Sequence, residues 1–202
     1  MSHSTPRMAR PTAVPKEVVG AQLRALRKRK GFTLKHLSEV SGVPLSTLSK
    51  IELGQAALSY DKFMAVARAL GVEMSELLQA GEQVQQAAFS GQLLKTRVSE
   101  QEGYSSDNYQ LQFLFSDIRG KVMTPLVATL HSREVHDFTE FIKHPGQEFA
   151  YVLSGAVTIL FENGDTISLK RNEAAYFDST IGHVYLTASR TPARVLAVCS
   201  DR

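Results

Sequence analysis

The stretch from Thr33 to Gly54, TLKHLSEVSGVPLSTLSKIELG, constrains this chain more than any other. Thr33 is a good N-cap, and Leu34, Leu37 and Val40 follow it at helical spacing, which predicts that they share a buried face. Gly42 ends that helix, because glycine takes a positive φ without a Cβ penalty. Pro44 suits the first turn of a second helix, where its missing N–H is not needed, and Leu48 and Ile51 then point inward. Ser38 is small where the two helices would cross. The pattern predicts two short helices joined by a glycine turn.

The flanks extend this into a bundle. Residues 16–30 read as a first helix with Val19, Leu23 and Leu26 on one face, closed by Gly31. Arg24, Arg27, Lys28, Arg29 and Lys30 crowd its last two turns, where cations complement the helix dipole and could also meet a polyanion. Ser59 opens a further helix with Phe63, Val66, Ala67 and Leu70 inward, Gly71 closes it, and a short helix over 74–79 carries Leu77 and Leu78. Charge separates this half from the rest. Residues 1–80 hold 12 Lys and Arg against 6 Asp and Glu, whereas residues 81–202 hold 11 against 14. Such an asymmetry suggests that only the first half meets a polyanion.

About residues 17–79 resemble the XRE (phage-repressor-like) helix-turn-helix family. The resemblance is carried by Ser38, Gly42, Leu37, Val43, Leu48 and Ile51 and by the closing Ile51-Glu52-Leu53-Gly54. It implies that Pro44, Leu45, Ser46, Ser49 and Lys50 lie on the groove face of a recognition helix. With Arg27, Lys28 and Thr33 they make up the expected DNA-binding set. The family often has a Gln touching the DNA backbone where this chain has Leu34.

Residues 1–15, with Pro6, Pro11 and Pro15 among small polar residues, are expected to form a disordered arm. Residues 16–79 are the helical domain, and residues 80–91, rich in Gln, Ala and Gly, read as a linker. From residue 92 the period changes to two. Leu94–Val98, Tyr109–Phe113 and Thr158–Phe161 alternate, Val195–Val198 is apolar, and Asn163-Gly164 is a strong hairpin signal. Many short strands between turn signals predict an antiparallel barrel or sandwich over residues 92–202.

Residues 144–155, HPGQEFAYVLSG, resemble the first motif of the cupin family, and Ile181-Gly182-His183 resembles the second. The resemblance implies a barrel (a double-stranded β-helix, or jelly roll) whose inward side chains hold a divalent metal. His144, Glu148 and His183 occupy three of the four ligand positions, and the fourth holds Ile142, which cannot ligate. Two imidazoles and a carboxylate still suit Zn, Fe or Ni with an open position. A metal-free pocket inside which His144 and Glu148 simply hydrogen-bond, or on whose rim they lie, is the alternative. Tyr185, two residues beyond His183 on one strand face, is a further pocket residue. His131 and His136 have no motif position and are expected at the surface. Asn172 can take the left-handed conformation of a turn where cupins often carry glycine. Phe113, Tyr176, Phe177 and Tyr185 are expected to fill a core, and Cys199 to be a small buried apolar residue.

The order of domains resembles a group of bacterial regulators. It implies a DNA-binding transcriptional regulator, not an enzyme, whose cupin barrel senses a small molecule or metal. A homodimer is expected, since one recognition helix spans only a few base pairs. The alternative is a cupin metalloenzyme, a dioxygenase or isomerase, with an accessory DNA-binding domain. A barrel packed shut would point instead to a purely dimerising role. No apolar run approaches the ~20 residues of a membrane span, and no apolar segment of a leader follows Arg7 and Arg10. The one cysteine cannot form an internal disulfide, so a reducing cytoplasm is expected.

Overall fold

The computed structural model describes residues 13–200 apart from 73, 79–90, 92, 102, 117 and 119. Five helices come first: α1 (Lys16–Arg29), α2 (Leu34–Ser41), α3 (Leu45–Glu52), α4 (Tyr60–Leu70) and α5 (Met74–Leu78). Their termini follow the sequence signals. The Thr33 hydroxyl accepts the His36 N–H at 3.0 Å and caps α2. Gly42 sits in the left-handed region at φ 73° and ends it. Ser38 Oγ donates to the Val43 carbonyl at 2.7 Å and fastens the turn to α2. Leu23, Leu26, Leu37, Leu48 and Ile51 are essentially fully buried. At Gly20 a Cβ would lie 2.0 Å from the Ile51 carbonyl oxygen, so α1 and the end of α3 approach as closely as backbones can. Val40 departs from the reading, being 49% exposed. In an eight-residue helix, Leu37 with partly buried Leu34 covers the contact with the bundle.

Of the ten strands among the described residues, one precedes the helices and nine follow them: β1 (Ala13–Val14), then β2 (Gly103–Ser105), β3 (Tyr109–Phe113), β4 (Met123–Leu130), β5 (Gln147–Ser154), β6 (Ala156–Phe161), β7 (Thr166–Lys170), β8 (Ala174–Asp178), β9 (His183–Thr187) and β10 (Ala193–Ser200). They form a seven-stranded sheet in the order β1-β2-β3-β4-β10-β5-β8 and a three-stranded sheet in the order β7-β6-β9. Helices followed by two mainly antiparallel sheets fulfil the expected helix-turn-helix bundle and cupin barrel. The β6–β7 hairpin turns through Asn163-Gly164 as the dipeptide requires, with Gly164 at φ 92°. Asn172 takes its turn at φ 71°. Period-two alternation puts Leu111, Leu126, Ala128, Leu130, Ala150, Val152, Val195 and Ala197 inside the barrel.

Three sequence readings change. Leu94–Val98 is not a strand: it runs unpaired into a 3-10 turn over Val98–Glu100, with Leu94 45% exposed, because alternation alone supplies no neighbouring strand. Ala13–Val14, read as part of a disordered arm, pairs in parallel with Gly103–Tyr104; residues 1–12 and nearly all of the 80–91 linker lie outside the described residues. Tyr176 points outward, since its neighbours Ala175 and Phe177 take the inner face of β8.

The two domains share one core. The Leu58 N–H, just ahead of α4, donates to the Tyr104 hydroxyl at 2.5 Å across the boundary. Phe63 of α4 packs between Tyr104 and Phe113, with ring centroids 5.6 and 5.8 Å away. Burying a phenylalanine contributes about 1.5–3 kcal/mol, so this contact holds α4 firmly on the barrel. Lys62 pairs with Glu140 at its rim. Among the described residues no helix is long and apolar enough to cross a membrane.

Candidate functional site

Two constellations stand out, one on α3 and one inside the barrel. On α3, Pro44, Leu45, Ser46 and Lys50 are exposed and Ser49 is half-buried. Leu48 and Ile51, on the other face, anchor the helix in the core. That leaves one polar, cationic face of a short rigid helix free to meet a partner. Lys28 is exposed at the end of α1. Thr33 is exposed too, with its hydroxyl engaged as the α2 cap.

Arg27 is a different matter. It is buried, and its guanidinium donates from Nε to Glu52 Oε1 at 2.5 Å, from Nη2 to Glu52 Oε2 at 2.8 Å and from Nη1 to the Phe32 carbonyl at 2.8 Å. The Glu52 hydrogen bonds raise its pKa against the opposing effect of burial. A two-pronged pair of this kind clamps α1 to the C-terminal end of α3. The expectation that Arg27 touches DNA backbone finds no support in this arrangement: the residue is buried, and three of its five N–H donors are engaged inside the protein. The i, i+25 partner could not be read from sequence, although Glu52 already stood among the family-like residues.

In the barrel, β5 and β9 carry the second constellation. Glu148 faces inward from β5, and His183 and Tyr185 from β9. His144 precedes β5, with its backbone N–H on the Ser179 carbonyl. Glu148 Oε2 lies 3.0 Å from His144 Nε2 and 3.3 Å from His183 Nε2. Glu148 Oε1 accepts the Tyr185 hydroxyl at 2.5 Å. All four residues are buried. Burial pushes the Glu148 carboxyl up, but the hydrogen bonds from His144, His183 and Tyr185 and the charge of His183 outweigh it, so the group sits well below the usual carboxylate range. Burial pushes the Tyr185 hydroxyl well above its ordinary value, and the Glu148 charge adds to this.

The outer ring nitrogens decide what the cluster can hold. His183 Nδ1 lies 2.9 Å from the Ile181 carbonyl, and His144 Nδ1 lies 3.3 Å from that of Pro145. A carbonyl only accepts, so each Nδ1 carries a proton and donates. With a proton on Nε2 each ring donates to Glu148 Oε2; without those protons the two Nε2 lone pairs and the carboxylate oxygen converge on one point that a cation would fill. A backbone carbonyl fixing the tautomer of a ligating imidazole is the usual support of a metal-binding histidine. The donor set His144 Nε2, His183 Nε2 and Glu148 Oε2 therefore fits a divalent metal.

The cluster sits at one end of a cavity of about 40 Å³ otherwise lined by apolar residues. That admits a cation with a water. Ile142 lines this cavity and adds no donor; its backbone is bridged to His183. Tyr109, whose hydroxyl takes the Tyr185 N–H at 2.8 Å, pins β9 from the opposite sheet. Sequence reasoning missed two members. Cys199 is buried as expected, but its Sγ lies within 4.8 Å of the donor atoms of His144 and Glu148. Tyr60, the first residue of α4, stacks edge-on against His144 with centroids 5.1 Å apart and lines the same cavity. On β10 Cys199 alternates inward with Val195 and Ala197, and the register that pairs it with Glu148 lay beyond any local signal. His131 and His136 are exposed, as expected.

Comparison with known proteins agrees with this architecture. Residues 23–77 match a family model described as helix-turn-helix, and residues 132–199 match one described as cupin domain. The chain is similar to an HTH_3 family transcriptional regulator from Vibrio cholerae of known crystal structure, with a TM-score of 0.62 and 22% identity over 93% of this chain and 98% of that one. It is more distantly similar to the hydroxypropylphosphonic acid epoxidase of S. wedmorenis, with a TM-score of 0.48 and 20% identity over 93% of this chain and 100% of that one. No curated protein matches the sequence. The chain thus joins a helix-turn-helix domain to a cupin domain in one shared fold.

Proposed function

We propose that this helix-turn-helix and cupin chain is a sequence-specific DNA-binding transcriptional regulator whose barrel senses a divalent cation or a small molecule. The observation that carries the reading is the contact of Tyr60 with His144. It joins the polar cluster of the barrel to the helical domain that presents Ser46, Ser49 and Lys50 on α3. A ligand biases DNA binding only through different affinities for two arrangements of the protein. The cavity as it stands takes a cation. Tyr60 lines that cavity, so a larger effector has to displace the Tyr60 side chain at the start of α4.

The same cavity supports the reading as a regulator over that as an enzyme, since about 40 Å³ beside the cluster is small for an organic substrate. The protein acts as a cytoplasmic homodimer on a pseudo-palindromic site, with half-sites about one helical turn apart. Its dimer face is an apolar stripe across the outside of four strands. Pro125, Val198, Phe149 and Tyr176 are consecutive register partners there, with Phe149 37% and Tyr176 65% exposed. The test is selection of binding sites from random duplex DNA with the purified protein. Enrichment of a two-fold symmetric sequence, lost in Lys50→Ala, is the expected result; no enrichment over random DNA would remove the regulator reading.

A further inference from the structure

We propose that the Cys199 thiolate is the fourth protein ligand of the barrel's cation site, and that it makes the site selective for a borderline-soft ion such as Zn²⁺ over Mg²⁺, Ca²⁺ or Mn²⁺. The inference rests on the cation reading of the His144, Glu148 and His183 cluster.

Register delivers the sulfur. Cys199 on β10 lies directly opposite Glu148 on β5, and both side chains face the barrel interior. The nearest donor atoms of His144, Glu148 and Cys199 all fall within 4.8 Å of one another, while Glu148 Oε2 is 3.3 Å from His183 Nε2. Zn–N and Zn–S bonds of about 2.0–2.3 Å put neighbouring donors of a tetrahedral site about 3.3–3.6 Å apart. His183 stands outside the mutual 4.8 Å spacing and among these donors touches only Glu148 Oε2, so its ring must swing toward the sulfur when the four donors close on an ion. Ile142 leaves its side of the site without a donor, so the sulfur supplies the fourth ligand from a different strand.

Charge favours the same set. The tyrosine hydroxyl on Glu148 Oε1 leaves only Oε2 for a metal, so the carboxylate binds through one oxygen. A divalent ion with one carboxylate and two neutral imidazoles carries a net charge of +1 inside an apolar barrel. Loss of the thiol proton to solvent makes the complex neutral, which removes the cost of burying that charge. A thiolate ligand suits Zn and disfavours the oxygen-seeking ions.

Cobalt(II) reports on this directly. Titrated into the full-length, chelator-treated protein, it is expected to give the visible bands of a tetrahedral ion together with a thiolate-to-cobalt charge-transfer band in the near ultraviolet. Zn²⁺ should abolish both in a 1:1 ratio, and a large excess of Mg²⁺ should not. Cys199→Ser should lose the charge-transfer band and release one proton fewer on binding. Its Zn²⁺ affinity should fall by more than the ~10- to 100-fold that loss of an outer-shell partner costs. Should Cys199→Ser fold poorly, the charge-transfer band of the unmodified protein and the protection of its single thiol from alkylation by Zn²⁺ decide the matter. Visible bands without a charge-transfer band, or a thiol equally reactive with and without Zn²⁺, would overturn the thiolate ligand and leave the cation site. No cobalt uptake at all would overturn both.

Discussion

The Tyr60 ring stands edge-on to the His144 ring at 5.1 Å, so the first residue of α4 touches a donor of the barrel cluster. The helical half of the chain therefore touches the barrel cluster directly. Tyr60→Ala removes that contact and opens the cavity. We predict that operator affinity in the absence of ligand changes little, while the response to cation or effector shrinks from the usual 5- to 150-fold of allosteric coupling to near unity. Fluorescence anisotropy on the selected operator, with and without Zn²⁺, measures both numbers. A full response in Tyr60→Ala places the coupling elsewhere.

Arg27 and Lys50 are both basic residues of the helical domain, and they should behave oppositely. Lys50→Ala is expected to weaken operator binding by about 1–3 kcal/mol if it reads a base, with stability unchanged. Arg27→Ala leaves Glu52 buried and unpaired, which costs about 3–5 kcal/mol of stability. The salt dependence of DNA binding by whatever Arg27→Ala protein remains folded should keep its slope. Denaturation curves and a salt titration on operator DNA separate the two; a flattened slope in Arg27→Ala would return that residue to the DNA contact set.

The apolar stripe on the outer sheet predicts a dimer that one charge disrupts. Phe149 lies between Val198 and Tyr176 in the register. Phe149→Glu should give a monomer by analytical ultracentrifugation at micromolar concentration. Binding to a symmetric operator should weaken by more than tenfold, with half-site binding unaffected. A Phe149→Glu protein that remains dimeric moves the interface off this face.

Tyr104 ties stability to pH at the domain boundary. Its hydroxyl is buried and accepts the Leu58 N–H. Burial raises its pKa well above the ordinary tyrosine value, and the hydrogen bond offsets only part of that. The folded state thus holds the proton more tightly than the unfolded one. The stabilisation is complete below pH ~10 and is lost as pH rises from there through the folded pKa. One such group contributes a slope of about 1.4 kcal/mol per pH unit. Tyr109 and Tyr185 share the direction. Tyr104→Phe should flatten the alkaline loss by one tyrosine's share while costing about 1–3 kcal/mol at neutral pH, where the Leu58 N–H is left without its acceptor. Denaturant titrations between pH 7 and 11 check both; an unchanged alkaline slope would contradict this account of Tyr104.

Local signals made much of this molecule legible. Thr33, Gly42 and Pro44 act within a few residues, and each marks its helix end where expected. Asn163-Gly164 and Asn172 mark turns for the same reason. His144, Glu148 and His183 stood out through the resemblance of two short segments to cupin motifs, and such segments are local. The rest depends on register between distant segments. Arg27 meets Glu52 across helices, Cys199 meets Glu148 across strands, and Tyr60 meets His144 across domains. A basic residue on a helix face looks the same in sequence whether it is solvated or locked to a distant carboxylate. The alternation of Leu94–Val98 misled for the related reason that a strand is defined by its neighbour.

The central claim is that the barrel cluster and the α3 face are thermodynamically linked. Linkage is reciprocal, so one measurement tests it most directly: the Zn²⁺ affinity of the full-length protein alone and saturated with its selected operator, set beside the operator affinity with and without Zn²⁺. The account predicts that the two ratios agree and differ from unity by about 5- to 150-fold, or roughly 1–3 kcal/mol. A Zn²⁺ affinity unchanged by operator, together with an operator affinity unchanged by Zn²⁺, would contradict it.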